Sequence, residues 1–410
     1  MKYIFILLSC VSLTLIFLPS GYAAEVVVNA EFKPSAANPD VVDFTNITPS
    51  TGFCVGDRAK TCPEGTFSID TGIEVENKIL RGTGGILREQ TFQKVKSNWQ
   101  YVTLTDAETG KTIILQFRIT LLGQRFYHRD KGLLNKLNGA GALPGGGCTG
   151  TQGWALSDGS SYRFAWLHPD RASSTCNRAP VSSLDLDNVN IDEVSIGYEL
   201  RSIASPLTLP NGNYSGGFQY TVGKDKDIDL GEGTYNDTYL QVYINAEIKH
   251  DFKASIQGSN SIELIPPGGW RSWSNSSKPQ FRLEGTGQIL MTASSPVSIT
   301  AYCTHEQLKS CALKREGGDE TVAVDINFSM PGVHERDTGE SVTRVAIPIT
   351  TPATPGVIIE PDNYLNNVTG QVHFTVNEVE SLKMASHPGS TWKGSATLVF
   401  DVDIPFLPDP

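Results

Sequence analysis

Beyond its first two dozen residues this chain has no apolar run near the roughly 18 residues that a membrane-spanning helix needs, which excludes a helical membrane domain there. Positive charge is also scarce. Thirty-three Lys and Arg stand against 44 Asp and Glu, a formal charge of −11 that becomes −12 once Lys2 is removed with a leader. An acidic surface without basic clusters repels phosphate backbones and offers anionic membranes no footing, so no nucleic acid is expected as a partner. Catalytic signatures are missing as well: there is no HExxH, no GxSxG elbow and no GxGxxG. Seven histidines are scattered, and none has a serine or carboxylate partner that spacing assigns, so no hydrolytic triad can be built. No CxxC pair and no Cys/His spacing suits zinc. An enzyme, a cofactor and a metal are therefore not expected.

What is present describes a folded, exported protein. At 410 residues, 39% hydrophobic and 19% charged, the chain is long enough for two domains, each with a core of its own. The N-terminus, MKYIFILLSCVSLTLIFLPSGYAA, has an early Lys2, an apolar stretch from Tyr3 to Leu18, then Pro19 and the small residues Gly21 and Ala23. That is the layout of a signal peptide over residues 1–23, cleaved after Ala23. Leu7, Leu8, Ser9 and Cys10 form a rival lipoprotein box, but the apolar segment ahead of Cys10 is too short for a signal core and the run continues past it.

Six cysteines remain after the leader, an even number in a secreted chain, so disulfides are the expected state. They fall into three close sequence pairs: Cys54 with Cys62, Cys148 with Cys176, and Cys303 with Cys311.

Alternation with period two recurs through the mature sequence, and helical spacing is almost absent. In TYLQVYINAEIKH, Leu240, Val242, Ile244, Ala246 and Ile248 face one way and Gln241, Tyr243, Asn245, Glu247 and Lys249 the other. TVAVDINFSM repeats the pattern, and TLVFDVDI near the C-terminus sets Leu398, Phe400, Val402 and Ile404 on one side. Strands with one buried face imply antiparallel sheets packed face to face. Further strands are expected at Tyr101–Thr105, Thr112–Leu121, Val194–Leu200, Phe218–Val222, Gln288–Ala293, Val297–Cys303, Val345–Ile349 and Val372–Val376, with a short helical piece at Leu133–Ala140. The fold class is all-β, with a sandwich pattern and a boundary near Phe252–Asn260 that divides residues 24–254 from 255–410; the first portion is too long for a minimal immunoglobulin-like sandwich and needs extra strands or long loops.

Three local motifs admit a functional reading beside a plain one. Gly110, Lys111 and Thr112 end like a phosphate loop, but Thr105 occupies the leading glycine's place and a hairpin turn fits better. Asp225, Asp227 and Asp229 open like a calcium loop, yet Leu230 holds the position where glycine is required. Between Trp154 and Asn177, Trp154, Tyr162, Arg163, Trp166, His168, Asp170 and Arg171 fall close together on a segment flanked by Cys148 and Cys176. Aromatic faces beside Asp and Arg suit sugars; the plain reading makes Phe164 and Trp166 core residues of a strand and the charges merely exposed.

Several stretches together resemble the two-domain tip adhesins of chaperone-usher pili. STWKGSATLVFDVDI is similar to the closing strand of fimbrial subunits, with Gly394 ahead of Leu398, Phe400 and Val402. SIELIPPGGWRSW, with Gly269, Trp270 and Trp273, resembles the opening of the pilin domain in those adhesins. LPNGNYSGGFQYTVG and FKPSAANPDVVDFTNITPSTGFC resemble stretches late and early in their N-terminal domain. The resemblance implies a non-enzymatic adhesin exported through the periplasm to the cell surface, at the pilus tip. Its N-terminal domain would bind a host or surface receptor, often a glycan. Both domains would be immunoglobulin-like β-sandwiches, the C-terminal one an incomplete pilin domain lacking its final strand, with a donor-strand groove beside Leu398, Phe400, Val402 and Ile404. A periplasmic chaperone, an outer-membrane usher and an adjacent pilin subunit would be the partners, by strand addition. No motif aligns with the receptor contacts of known adhesins.

EVVVNAEF, Glu25 to Phe32, departs from a simple tip subunit because it is extended at the mature N-terminus. It is either the first strand of the binding domain, which its unbroken run into FKPSAANPD favours, or a donor arm for another subunit. Two other functions stand beside the adhesin: a structural minor pilin or tip adaptor without a receptor, and a secreted carbohydrate-active hydrolase.

Overall fold

Residues that alternate in hydropathy become strands here, and strands make up nearly all the regular structure. The computed structural model describes residues 24–38, 41, 43–130, 132–137, 143–151, 154–155, 159–277, 280–350 and 356–402. Residues 1–23, where a leader is expected, lie outside the described residues with Cys10, as does Ile404.

Eight strands build most of the first unit: β1 (Ala24–Phe32), β2 (Val75–Arg81), β3 (Gln100–Asp106), β4 (Thr112–Tyr127), β5 (Ser161–Leu167), β6 (Asp185–Ser202), β7 (Gly212–Thr221) and β8 (Tyr239–Ile248). They belong to one large sheet that runs β2-β6-β4-β3-β7-β8-β1, with β5 added on β4. Leu240, Val242, Ile244, Ala246 and Ile248 are all buried, as their spacing requires. β1 lies parallel to β8 in an unbroken register from Ala24 against Leu240 to Phe32 against Ile248. Val26, Val28 and Phe32 thereby enter the same core as Val242 and Ile244. The Glu25–Phe32 segment is thus the first strand of this unit, paired with β8 along its whole length.

The second unit begins with β9 (Phe252–Gln257), followed by β10 (Leu283–Ala293), β11 (Val297–Cys303), β12 (Thr321–Ser329), β13 (Val357–Pro361), β14 (Leu365–Val376) and β15 (Ala396–Asp401). One sheet runs β9-β10-β14-β12 and continues through Ser310–Arg315; the other contains β13-β11-β15. They enclose a separate core with Met291, Val297, Ile299 and Phe328 at its centre. Phe252 and Ala254 pack against this second core. The all-β class with face-to-face sheets holds, and the three local pairs Cys54–Cys62, Cys148–Cys176 and Cys303–Cys311 are disulfide-bonded.

Some local expectations change. Val345–Ile349 forms a strand only over Val345–Ala346, because Pro348 has no N–H to continue the ladder; Ile349 keeps a single bridge to Ala301. Leu133–Ala140 supplies one 3-10 turn, Leu133–Lys136, and residues 138–140 lie outside the described set. An α-helix at Glu378–Ala385 escapes a period-two reading. Its signal was the Asn377-x-x-Glu380 pair, in which the Asn377 side chain accepts from the Glu380 N–H at 3.0 Å, a capping arrangement. Gly110, Lys111 and Thr112 sit in the β3–β4 hairpin, with Gly110 at φ +70°.

Candidate functional site

β15 shows the same alternation as β8 and β12 but a different burial. Leu398, Phe400 and Val402 point toward the second core and are only half-buried, whereas Val322, Val324, Ile326 and Phe328 on β12 are buried. Among the described residues β15 pairs with β11 alone, from Ser298 opposite Asp401 to Cys303 opposite Ala396, and its other edge bonds to no strand. β9 is likewise an edge, bonded to β10 alone. Ile256 near its end is 64% exposed, unusual for a large aliphatic side chain on a strand.

The two free edges border one cavity of about 350 Å³. Ala254 and Ile256 line it from β9, Leu398 and Phe400 from β15, and Ile289 and Phe374 from the sheet beneath. Phe252 and Phe400 close one end with ring centroids 6.0 Å apart. Among the described residues neither of these edges pairs with a further strand, and apolar side chains lie between them.

The residues picked out around Trp154 to Arg171 do not converge on one surface. Trp166 is fully buried and packs on Phe164 at 5.3 Å, inside the first core. His168 is buried too, its ring nitrogens 3.0 Å from the Gln93 carboxamide and 3.0 Å from the Ser174 hydroxyl. Burial holds its pKa far below the usual imidazole value, at about 3, so it is a neutral core residue. Neither side chain presents a face to a ligand, which corrects their reading as receptor contacts. Alternation explains this: Phe164 and Trp166 share the inward side of β5, and His168 continues their spacing just past its end. Trp154 belongs to a two-residue strand paired with β5 at Arg163, and its side chain is outside the described set. Tyr162 is half-buried and tilted against Phe164, while Asp170 and Arg171 are exposed. Arg163 faces outward and grips Glu193 with two nitrogens, at 2.6 and 2.8 Å.

Two apparent metal sites resolve into structure. The Cys148 and Cys176 sulfurs lie beside His168, but they are joined to each other and offer no thiolate. In the Asp225–Asp229 turn, Asp229 is buried in an ion pair with Arg88, and the Asp227 carboxylate accepts from the Thr221 N–H and hydroxyl at 2.9 and 2.7 Å.

No protein-family profile matches the sequence, and no curated protein matches it either. Solved structures that are similar include the following three. One is a chaperone–tip adhesin complex of CFA/I fimbriae, at 8% identity and a TM-score of 0.23 over 82% of this chain and 91% of that one. A mutant of the enterotoxigenic E. coli CFA/I adhesin CfaE is 8% identical with a TM-score of 0.25, covering 94% of each chain. The third, the CsuC–CsuE chaperone–tip subunit pre-assembly complex from archaic Csu pili of Acinetobacter baumannii, is 12% identical with a TM-score of 0.21 over 92% and 99%.

Proposed function

We propose that this protein is a fimbrial tip adhesin: the first sandwich binds a receptor, a glycan, and the second is an incomplete pilin domain that attaches it to a pilus by accepting a strand. The observation that carries the reading is the pair of free edges, β9 and β15, facing each other across an apolar cavity with Leu398 and Phe400 half-covered. Left naked, such edges recruit other strands and aggregate. A periplasmic chaperone would cover them during transit, and an extension of the adjacent pilin subunit would replace it at the outer-membrane usher. The protein then sits at the cell surface, at the pilus tip, without enzymatic activity. β1 supports a terminal place in the filament, since the segment that could have served as a donor arm is bonded to β8 along its full length.

The experiment is complementation. The mature chain is produced alone, with a chaperone, and with a strand of alternating apolar residues fused after Pro410 through a flexible linker. Soluble monomer and a higher Tm are expected in the second and third forms only. A stable monomer without any added strand, unchanged by the fusion, would sink the proposal.

A further inference from the structure

We propose that a pocket beside Glu193, on the outer face of the first sheet, is the place where a neutral sugar unit binds. This rests on the adhesin reading and gives its receptor site a location. The sequence of β6 is the starting point. Its register against β4 slips between Asp192 and Ser195, and within that bulge Glu193 adopts φ +49°. A non-glycine residue held in the left-handed region is strained, and bulges re-aim side chains. Here the bulge turns two consecutive carboxylates outward: Asp192 pairs with Arg125, and Glu193 with both Arg125 and Arg163. These guanidinium partners, Arg163 first, hold the Glu193 carboxyl below its usual range, so it stays an acceptor at any physiological pH.

Over the same face lies the loop closed by the Cys54–Cys62 disulfide. Phe53 donates its N–H to the Ser195 hydroxyl at 3.0 Å, and Cys54 donates to Ser68 at 2.8 Å. Phe53 rests on Gly123, where a Cβ would lie 2.8 Å from the Phe53 Cβ. The loop is therefore fixed in place before any ligand arrives. Between it and the bulge is a cavity of about 290 Å³ lined by Thr51, Phe53, Arg58, Asp70, Arg163 and Glu193. Its size suits one or two sugar rings. Planar guanidinium and carboxylate groups at fixed spacing donate to and accept from vicinal hydroxyls. Arg58, Arg125 and Arg163 balance Asp70, Asp192 and Glu193, so the pocket carries no net charge to favour an anionic group. It also lies toward the far end of β4: Arg125 is about 45 Å along the strand from Lys111, which borders a small cavity with His250 and Arg336 at the junction of the two units.

The test is saturation-transfer NMR on the full mature chain, in whichever form is monomeric, with four probes run separately: methyl α-mannopyranoside, methyl β-galactopyranoside, methyl N-acetyl-β-glucosaminide, and glucuronate as the acidic arm. Transfer to at least one neutral glycoside is expected. Glu193→Gly should weaken it by about tenfold or more, since it removes the acceptor. The same change places a residue without strain at φ +49°, so the fold should survive. Thr51→Ala, on the opposite wall, should weaken binding with the fold intact. Transfer to none of the neutral glycosides, to glucuronate alone, or equally in parent and Glu193→Gly overturns the proposal. Failure here leaves the complementation result standing, because the groove and this pocket are on different units.

Discussion

The rings of Phe252 and Phe400 lie 6.0 Å apart, tilted by 43°, on two strands that share no hydrogen bond. This contact is within the range of attractive aromatic pairs, and it ties β9 to β15 beside the cavity that their side chains line. Phe400 is half-buried, and on the proposed function an added strand would enclose it. Phe400→Ala is therefore expected to lower the stability of the strand-fused form by about 3–4 kcal/mol. Urea denaturation of the fused parent and the fused variant measures the loss. A loss of about 1 kcal/mol or less would mean that the added strand does not cover Phe400.

A second expectation concerns β1. Val28 is fully buried opposite Ile244, inside the first core. Val28→Ala should cost about 2 kcal/mol of unfolding free energy, and deleting Ala24–Phe32 should prevent the first unit from folding. If the deletion left that unit's near-UV circular dichroism and urea midpoint unchanged, the segment would be an arm after all.

The strands were legible because their signal is local. Leu240 to Ile248 and Val322 to Phe328 carry their own inside and outside, and the structure buries the side that the spacing marks. The half-burial of Leu398 and Phe400 was not legible: their alternation equals that of Val324 and Ile326, and only the neighbour that fails to cover them differs. The cluster from Trp154 to Arg171 misled for a related reason. Composition brought Trp166, His168 and Arg163 together, but alternate residues of β5 face opposite sides, so two went to the core and one to the surface. The pocket at Glu193 draws on residues from 51 to 193, and its key feature, a bulge, depends on pairing with a strand some 70 residues away. No window along the chain contains that.

Lys78 makes a prediction about alkaline stability. It is fully buried on β2, its Nζ donates to the Arg88 carbonyl at 2.9 Å, and burial, with help from the Arg88 charge, pushes its pKa down to about 7. The unfolded chain binds this proton up to about pH 10.5, so between 7 and 10.5 the unfolded state holds more protons and stability rises with pH. Lys78→Met should be more stable than the parent at pH 7 by roughly 1–4 kcal/mol. The Arg88 carbonyl keeps the Glu232 N–H as a donor, so the substitution leaves no orphan acceptor. The advantage should shrink toward pH 10, and thermal melts at pH 7 and 9.5 decide it. A less stable Lys78→Met at pH 7 would show that the buried amine is held by more than it loses.

His168 governs the acid side. Its pKa falls from 6.5 in the unfolded chain to about 3 in the fold, because burial excludes the charged ring. Its contribution is complete above pH 6.5. As pH drops from there toward 3 the unfolded state takes up a proton that the folded state refuses, and stability declines by about 1.4 kcal/mol per unit for this one group. His168→Gln has no proton to bind in this range and keeps an amide near Gln93 and Ser174. Its stability should start below the parent's at pH 7.5, since the imidazole's packing is lost, and fall less steeply, so that the two curves converge near pH 5. Urea midpoints at half-unit steps from pH 7.5 to 4.5 give both slopes. Parallel curves would mean that His168 is not the group whose protonation opposes folding, leaving His250 and His373, both also lowered by burial, as the source.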